Sequence, residues 1–109
     1  MVVFLSHKMS SVSEEVVLDI RTRAMSFIRE KLPEINDIEF IENYIYDDAP
    51  EDATNLWYLG RSIQEMGKAD LIFFCHDPRE ARGCKVECLI SDLYDLPILN
   101  HIIGDLPEK

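Results

Sequence analysis

Two short segments hold most of the residues that could do chemistry on a ligand. One is Ser6, His7, Lys8, Met9, Ser10 and Ser11, close to the start of the chain. The other runs through Asp77, Pro78, Arg79, Glu80, Ala81, Arg82, Gly83 and Cys84, with Glu87 following. Hydroxyls and an ammonium group ahead of a helix start suit a phosphate or a sugar. Gly83 lets a ligand approach the backbone closely. Glu87 falls near a helix N-terminus, where the dipole favours an ionised carboxylate. A positioned, ionised carboxylate is what attack on a glycosidic carbon requires. Plainer readings stand beside these: a capped helix with a solvated Lys8, and a first-turn glutamate that only complements the dipole.

The elements that must position these segments alternate along the chain. Apolar runs at residues 2–5, 37–41, 71–75 and 98–102 predict four strands. Between them lie helical patterns over residues 11–31, 53–66 and 83–93. Ser11 and Glu14 form a capping-box pattern at the first helix. Its apolar face is Val16, Val17, Ile20, Ala24, Phe27 and Ile28. Leu56, Leu59, Ile63 and Met66 form the core face of the second helix, and Val86, Leu89, Ile90 and Leu93 that of the third. This β-α-β-α-β-α-β order predicts one α/β domain over residues 1–109. Its fold is a flavodoxin-like or Rossmann-like three-layer sandwich, with a four-stranded parallel sheet in order 2-1-3-4 and helices on both faces. A ligand crevice then lies where strand order reverses, so the loops after strands one and three face one site. The acidic stretch over residues 42–52 reads as a long loop, either solvated or capping that site. Residues 104–109 read as an exposed tail.

The totals narrow the function classes. A formal charge of −10 opposes gripping a nucleic-acid backbone or docking on anionic lipid. The apolar runs are too short for a membrane span, and no secretory signal pattern opens the chain, so a cytoplasmic protein is expected. The glycine patterns of dinucleotide and P-loop sites are absent. Cys75, Cys84 and Cys88 read as reduced thiols, and no ligand set for a metal is evident near His76. His101 reads as a structural residue of the last strand. Trp57 and Tyr58 read as a stacking surface for a base or as helix packing.

Several segments together resemble nucleoside 2-deoxyribosyltransferase-like proteins. They are Val3-Phe4-Leu5-Ser6-His7-Lys8-Met9-Ser10, Trp57-Tyr58-Leu59-Gly60-Arg61-Ser62-Ile63, Met66, Ala69-Asp70 and Ala81-Arg82-Gly83-Cys84-Lys85-Val86-Glu87. The small bacterial and phage members are the most similar, and the likeness extends from residue 2 to about residue 99. The resemblance implies cleavage or transfer of the N-glycosidic bond of a 2′-deoxynucleoside or its 5′-monophosphate. It implies Glu87 as the nucleophile on C1′, with Ser6, His7, Lys8, Met9, Ser62, Arg82 and Gly83 around the substrate. It implies no cofactor, and a homodimer or larger homo-oligomer. The family's enzymes carry an acidic residue where this chain has Ser62, and Asp or Ser where it has Ala81 and Arg82. Asp77 is then the candidate second carboxylate.

The enzyme reading has a rival from a different class: a module that binds a nucleoside or nucleotide on the same fold without chemistry. Ser62 in place of an acid favours it, because a serine cannot act as an acid-base group near neutral pH. A regulatory protein with a vestigial pocket and a flavin-binding carrier are further alternatives.

Overall fold

A computed structural model of the chain describes residues 1–103. Its elements run β1 (Val2–Ser6), α1 (Glu14–Lys31), β2 (Glu39–Phe40), α2 (Asn55–Met66), β3 (Leu71–Phe74), α3 (Arg82–Leu93) and α4 (Asn100–Ile103). A single 3-10 turn, Pro78–Glu80, precedes α3. Among the described residues no helix is long and apolar enough to cross a membrane.

The sheet is parallel, in order β2-β1-β3. Val3 pairs with Phe40 on one side and Leu71 on the other. β1 is central, and Val3, Phe4 and Leu5 are fully buried, as a continuous apolar strand covered on both faces must be. Alternation along the strands sorts the core into two layers. Val3, Leu5 and Phe73 meet Ala24 and Ile28 of α1 on one face. Phe4, Ile72 and Phe74 meet Met66 of α2 and Cys88 and Ile90 of α3 on the other. An α/β domain with a parallel sheet and helices on both faces is therefore present.

The expected fourth strand is reduced to one bridge. Ile72 donates its N–H to Pro97 O at 2.9 Å, and Leu99 donates to Ile72 O at 2.8 Å. That leaves Ile98 alone opposite Ile72, on the side of β3 where a fourth strand belongs. Asn100 then starts α4, and its side chain continues the ladder. Phe74 N–H donates to Asn100 Oδ1 at 2.8 Å, and Asn100 Nδ2 donates to Phe74 O at 3.0 Å. One amide side chain thus satisfies both backbone groups that another strand residue would have met. His101 consequently lies exposed in α4 instead of in a strand. The second strand is likewise shorter than expected, only Glu39–Phe40. The expected tail over residues 104–109 lies outside the described residues.

Helix α1 starts later than the capping-box pattern predicts. Ser13 is its cap, accepting from Val16 N–H at 3.2 Å. Ser11 instead takes a left-handed backbone, φ 61°, in the loop ahead of it. The helical stripes are also rotated relative to the apolar pattern. α1 buries Val17, Arg21, Ala24 and Ile28, and leaves Val16 exposed. α3 buries Cys84, Glu87 and Ser91, while Leu89 and Leu93 face out. Polar contacts of Arg21 to neighbouring loops and of Glu87 to β1, described next, accompany these rotations. Leu56, expected in the core face of α2, is 76% exposed.

Candidate functional site

The loops after β1 and β3 meet beyond the carboxyl ends of their strands. Cys75 N–H donates to Ser6 O at 2.9 Å, and Lys8 N–H donates to His76 Nε2 at 2.8 Å. A cleft of about 770 Å³ opens there, within the range of small-molecule sites. The β1 loop lines it with His7 to Ser11, the long loop with Asn43, Tyr44 and Tyr46, and α2 with Leu56, Tyr58, Leu59 and Ser62. Glu80, the start of α3 and Glu87 complete it.

Glu87 is the most deeply placed carboxylate of this cleft, 6% exposed. Ser6, the last residue of β1, donates from Oγ to Glu87 Oε1 at 2.6 Å. Glu87 lines the cleft, so its carboxyl can meet a ligand there. Burial pushes the carboxyl up to about 7, against the opposing pull of the Ser6 hydrogen bond. At neutral pH the group therefore holds comparable populations of acid and carboxylate. Ser91 anchors the same turn from below, donating to Glu87 O at 2.8 Å. The tie from Ser6 to Glu87 explains why α3 turns this polar stripe inward.

Behind the cleft lies a second polar group of residues. Arg21 is buried in α1, and among the described residues none of its hydrogen-bond acceptors is a carboxylate. Its Nη1 donates to Asn43 Oδ1 at 2.8 Å and approaches His7 Nε2 at 3.1 Å. Its Nη2 donates to Ile41 O at 2.7 Å, and Tyr44 stacks on the guanidinium at 4.5 Å. Asn43 Nδ2 donates onward to Leu5 O at 2.9 Å. A guanidinium has no acceptor, so His7 Nε2 must take the hydrogen bond and the imidazole proton sits on Nδ1, facing Lys8 O. Burial and the Arg21 charge lower His7 to about 4, so it is neutral.

The long loop forms one wall. Tyr46 Oη lies 3.1 Å from Ser62 Oγ, its ring stacks on Arg61 at 5.1 Å, and Arg61 faces Asp48 at 3.5 Å. Trp57 and Tyr58 pack edge to face with each other and around Tyr46. Tyr58 reaches the cleft.

The structure thus brings Ser6, His7, Lys8, Met9, Ser62, Arg82, Gly83 and Glu87 around one cleft, Ser6 through its bond to Glu87. Asp77 is not among the lining residues. It caps the 3-10 turn and grips Arg79, with contacts from 2.7 to 3.1 Å. Those bonds hold it down to about 2. Gly83 is helical and uncrowded: a methyl group there would meet only Leu59, at an ordinary 3.9 Å. Among the described residues, no group of three or more His, Cys, Asp and Glu is arranged to hold a metal ion. Cys84 approaches His76 Nε2 to 4.0 Å, and burial pushes its thiol up to about 11.

Arg21 was not anticipated as a site residue, and Asn43, Tyr44 and Tyr46 were anticipated only as part of the 42–52 loop that could cap the site. A signal for Arg21 exists: residues 17, 21, 24 and 28 form an unbroken helical stripe, and the arginine occupies a core position in it. Asn43 has no comparable signal, since only the fold brings it against Leu5.

Compared with known protein families, curated proteins and solved structures, the chain matches none.

Proposed function

We infer that the chain cleaves or transfers the N-glycosidic bond of a small nucleoside, with Glu87 as the nucleophile on the sugar's anomeric carbon. The observation that carries this reading is the buried Glu87 carboxylate, fixed by Ser6 in a cleft of ligand size. Burial strips water from the carboxylate and raises its basicity, which suits attack on a carbon developing positive charge. Tyr58 and Leu59 offer apolar surface for a base. The reading agrees with the nucleoside 2-deoxyribosyltransferase resemblance, which points to 2′-deoxynucleosides or their 5′-monophosphates. Leu89, Leu93 and Tyr94, exposed along the end of α3, support assembly of several copies in solution.

A second reading is a nucleoside-binding module without turnover. It is favoured by one observation: Ser62, at the position of the family's acid, is hydrogen-bonded to Tyr46. Chromatographic assay of base release from deoxynucleosides and their 5′-monophosphates separates the two. Release by the native protein and not by Glu87→Gln supports the enzyme. Saturable binding without release supports the module.

A further inference from the structure

Arg21 is a costly residue for its place. It occupies a core position of α1, between Val17 and Ala24 of the buried stripe. Taking a guanidinium out of water opposes folding, and an apolar side chain usually serves a core position better. What the arginine does, and an apolar residue could not, is hold the chain just after β2. Nη2 donates to Ile41 O at 2.7 Å and Nη1 to Asn43 Oδ1 at 2.8 Å, while the Tyr44 ring lies on the guanidinium at 4.5 Å. Asn43 Nδ2 then pins this segment to Leu5 O at 2.9 Å, one residue ahead of the serine that grips Glu87. Asn43 and Tyr44 line the cleft, and Arg21 stands behind them.

We propose that Tyr44 is a ligand contact, packing its ring against the base of a bound nucleoside, and that Arg21 is the positioning residue that holds the ring in place. The proposal rests on the reading of the cleft as a nucleoside site and adds the pair of residues that sets affinity for the base.

Tyr44 is half-buried and meets both the cleft and the guanidinium. Tyr46 and Tyr58, which also line the cleft, pack with Trp57 instead. A ring already held by a cation leaves little ordering of that side chain for the ligand to bring about. The planar guanidinium donates to two acceptors while its face meets the ring, and a lysine ammonium cannot do both. Contact with the base is the same before and during bond cleavage, so it acts on KM and not on kcat.

The test measures KM and kcat for base release from the natural 2′-deoxynucleosides, or Kd by equilibrium dialysis where no base is released. Tyr44→Ala should raise KM or Kd about tenfold, on the scale of base–aromatic stacking, with kcat changed less than about twofold. Tyr44→Phe keeps the ring and should stay within about threefold of the native protein. Arg21→Lys should raise KM or Kd roughly fivefold alone, and add little in the Tyr44→Ala background, where the ring it positions is gone. Equal effects of Arg21→Lys in both backgrounds mean that Arg21 acts on the fold at large, and overturn its positioning role. A Tyr44→Ala variant within about threefold of native KM or Kd, or one whose loss lies in kcat, overturns the proposal and leaves the nucleoside reading standing. That result decides the matter even where Arg21→Lys does not fold. Neither binding nor release by the folded native protein overturns the nucleoside reading and the proposal with it.

Discussion

Arg21 and His7 share one hydrogen bond, Nη1 to Nε2 at 3.1 Å, and it fixes the imidazole as the neutral tautomer protonated on Nδ1. Nitrogen NMR of the ring should show that tautomer from neutral pH down to about 4, the value to which burial and Arg21 lower it. Arg21→Met leaves Asn43 Oδ1 and His7 Nε2 without their donor, while Ile41 O keeps the Asn43 N–H. Each buried acceptor so stranded costs about 1–3 kcal/mol, so a loss of roughly 2–6 kcal/mol in urea unfolding is expected. In that variant the His7 titration rises only part of the way to 6.5, because burial is the larger cause of its depression.

Glu87 and His7 give stability opposite pH slopes. Burial raises Glu87, so between about 4.5 and 7 the folded state holds a proton that the unfolded chain has released, and stability falls as pH rises. His7 is lowered, so between about 4 and 6.5 the unfolded chain binds the extra proton, and stability rises with pH. The two contributions nearly cancel from pH 4.5 to 6.5. Glu87→Gln removes one of them, and the variant should gain about 3 kcal/mol on the native protein between pH 4.5 and 8, on the scale of 1.4 kcal/mol per pKa unit. Parallel stability curves for the two proteins would contradict the raised Glu87.

Ser6→Ala isolates the other influence on Glu87. The Ser6 hydroxyl favours the carboxylate, so its loss lets burial act unopposed. The rise of kcat/KM with pH, expected through about 7 in the native protein, should move ~1–2 pH units upward. An unmoved midpoint would mean that Glu87 ionisation does not govern turnover.

The start of α3 is open to improvement. Ala81 occupies its N-cap with no side-chain hydrogen bond, and Gly83 lies in its first turn with room for a methyl group. Ala81→Ser and Gly83→Ala should each add roughly 0.5–1 kcal/mol to thermal stability. Should Gly83→Ala also weaken nucleoside affinity, the close backbone approach for which a glycine suits this position is in use.

Much of this arrangement is legible in the sequence because it depends on local patterns. The continuous apolar run before Ser6 marks a doubly covered strand, and the parallel topology then brings the β1 loop to Glu87. What is not legible depends on contacts between distant residues. The apolar residues Leu89 and Leu93 suggest a core face for α3, yet the Ser6 bond to Glu87 rotates that face outward. Asp77 opens the second loop, yet Arg79, two residues on, holds its carboxylate away from the cleft. The fourth strand is predicted from an apolar run that includes Ile98 and Leu99, both buried, but Asn100 turns the chain into a helix.

That last substitution tests simply: Asn100→Leu leaves Phe74 N–H and C=O unpaired and should cost about 2–3 kcal/mol. Its wider meaning concerns self-association. A bare outer edge of β3 would present open backbone groups to any extended chain, the template from which sheets grow across molecules. Ile98 and the Asn100 amide occupy that edge without themselves offering a new strand beyond it. The sheet therefore stops on this side by a polar side chain, and loss of Asn100 should appear first as aggregation.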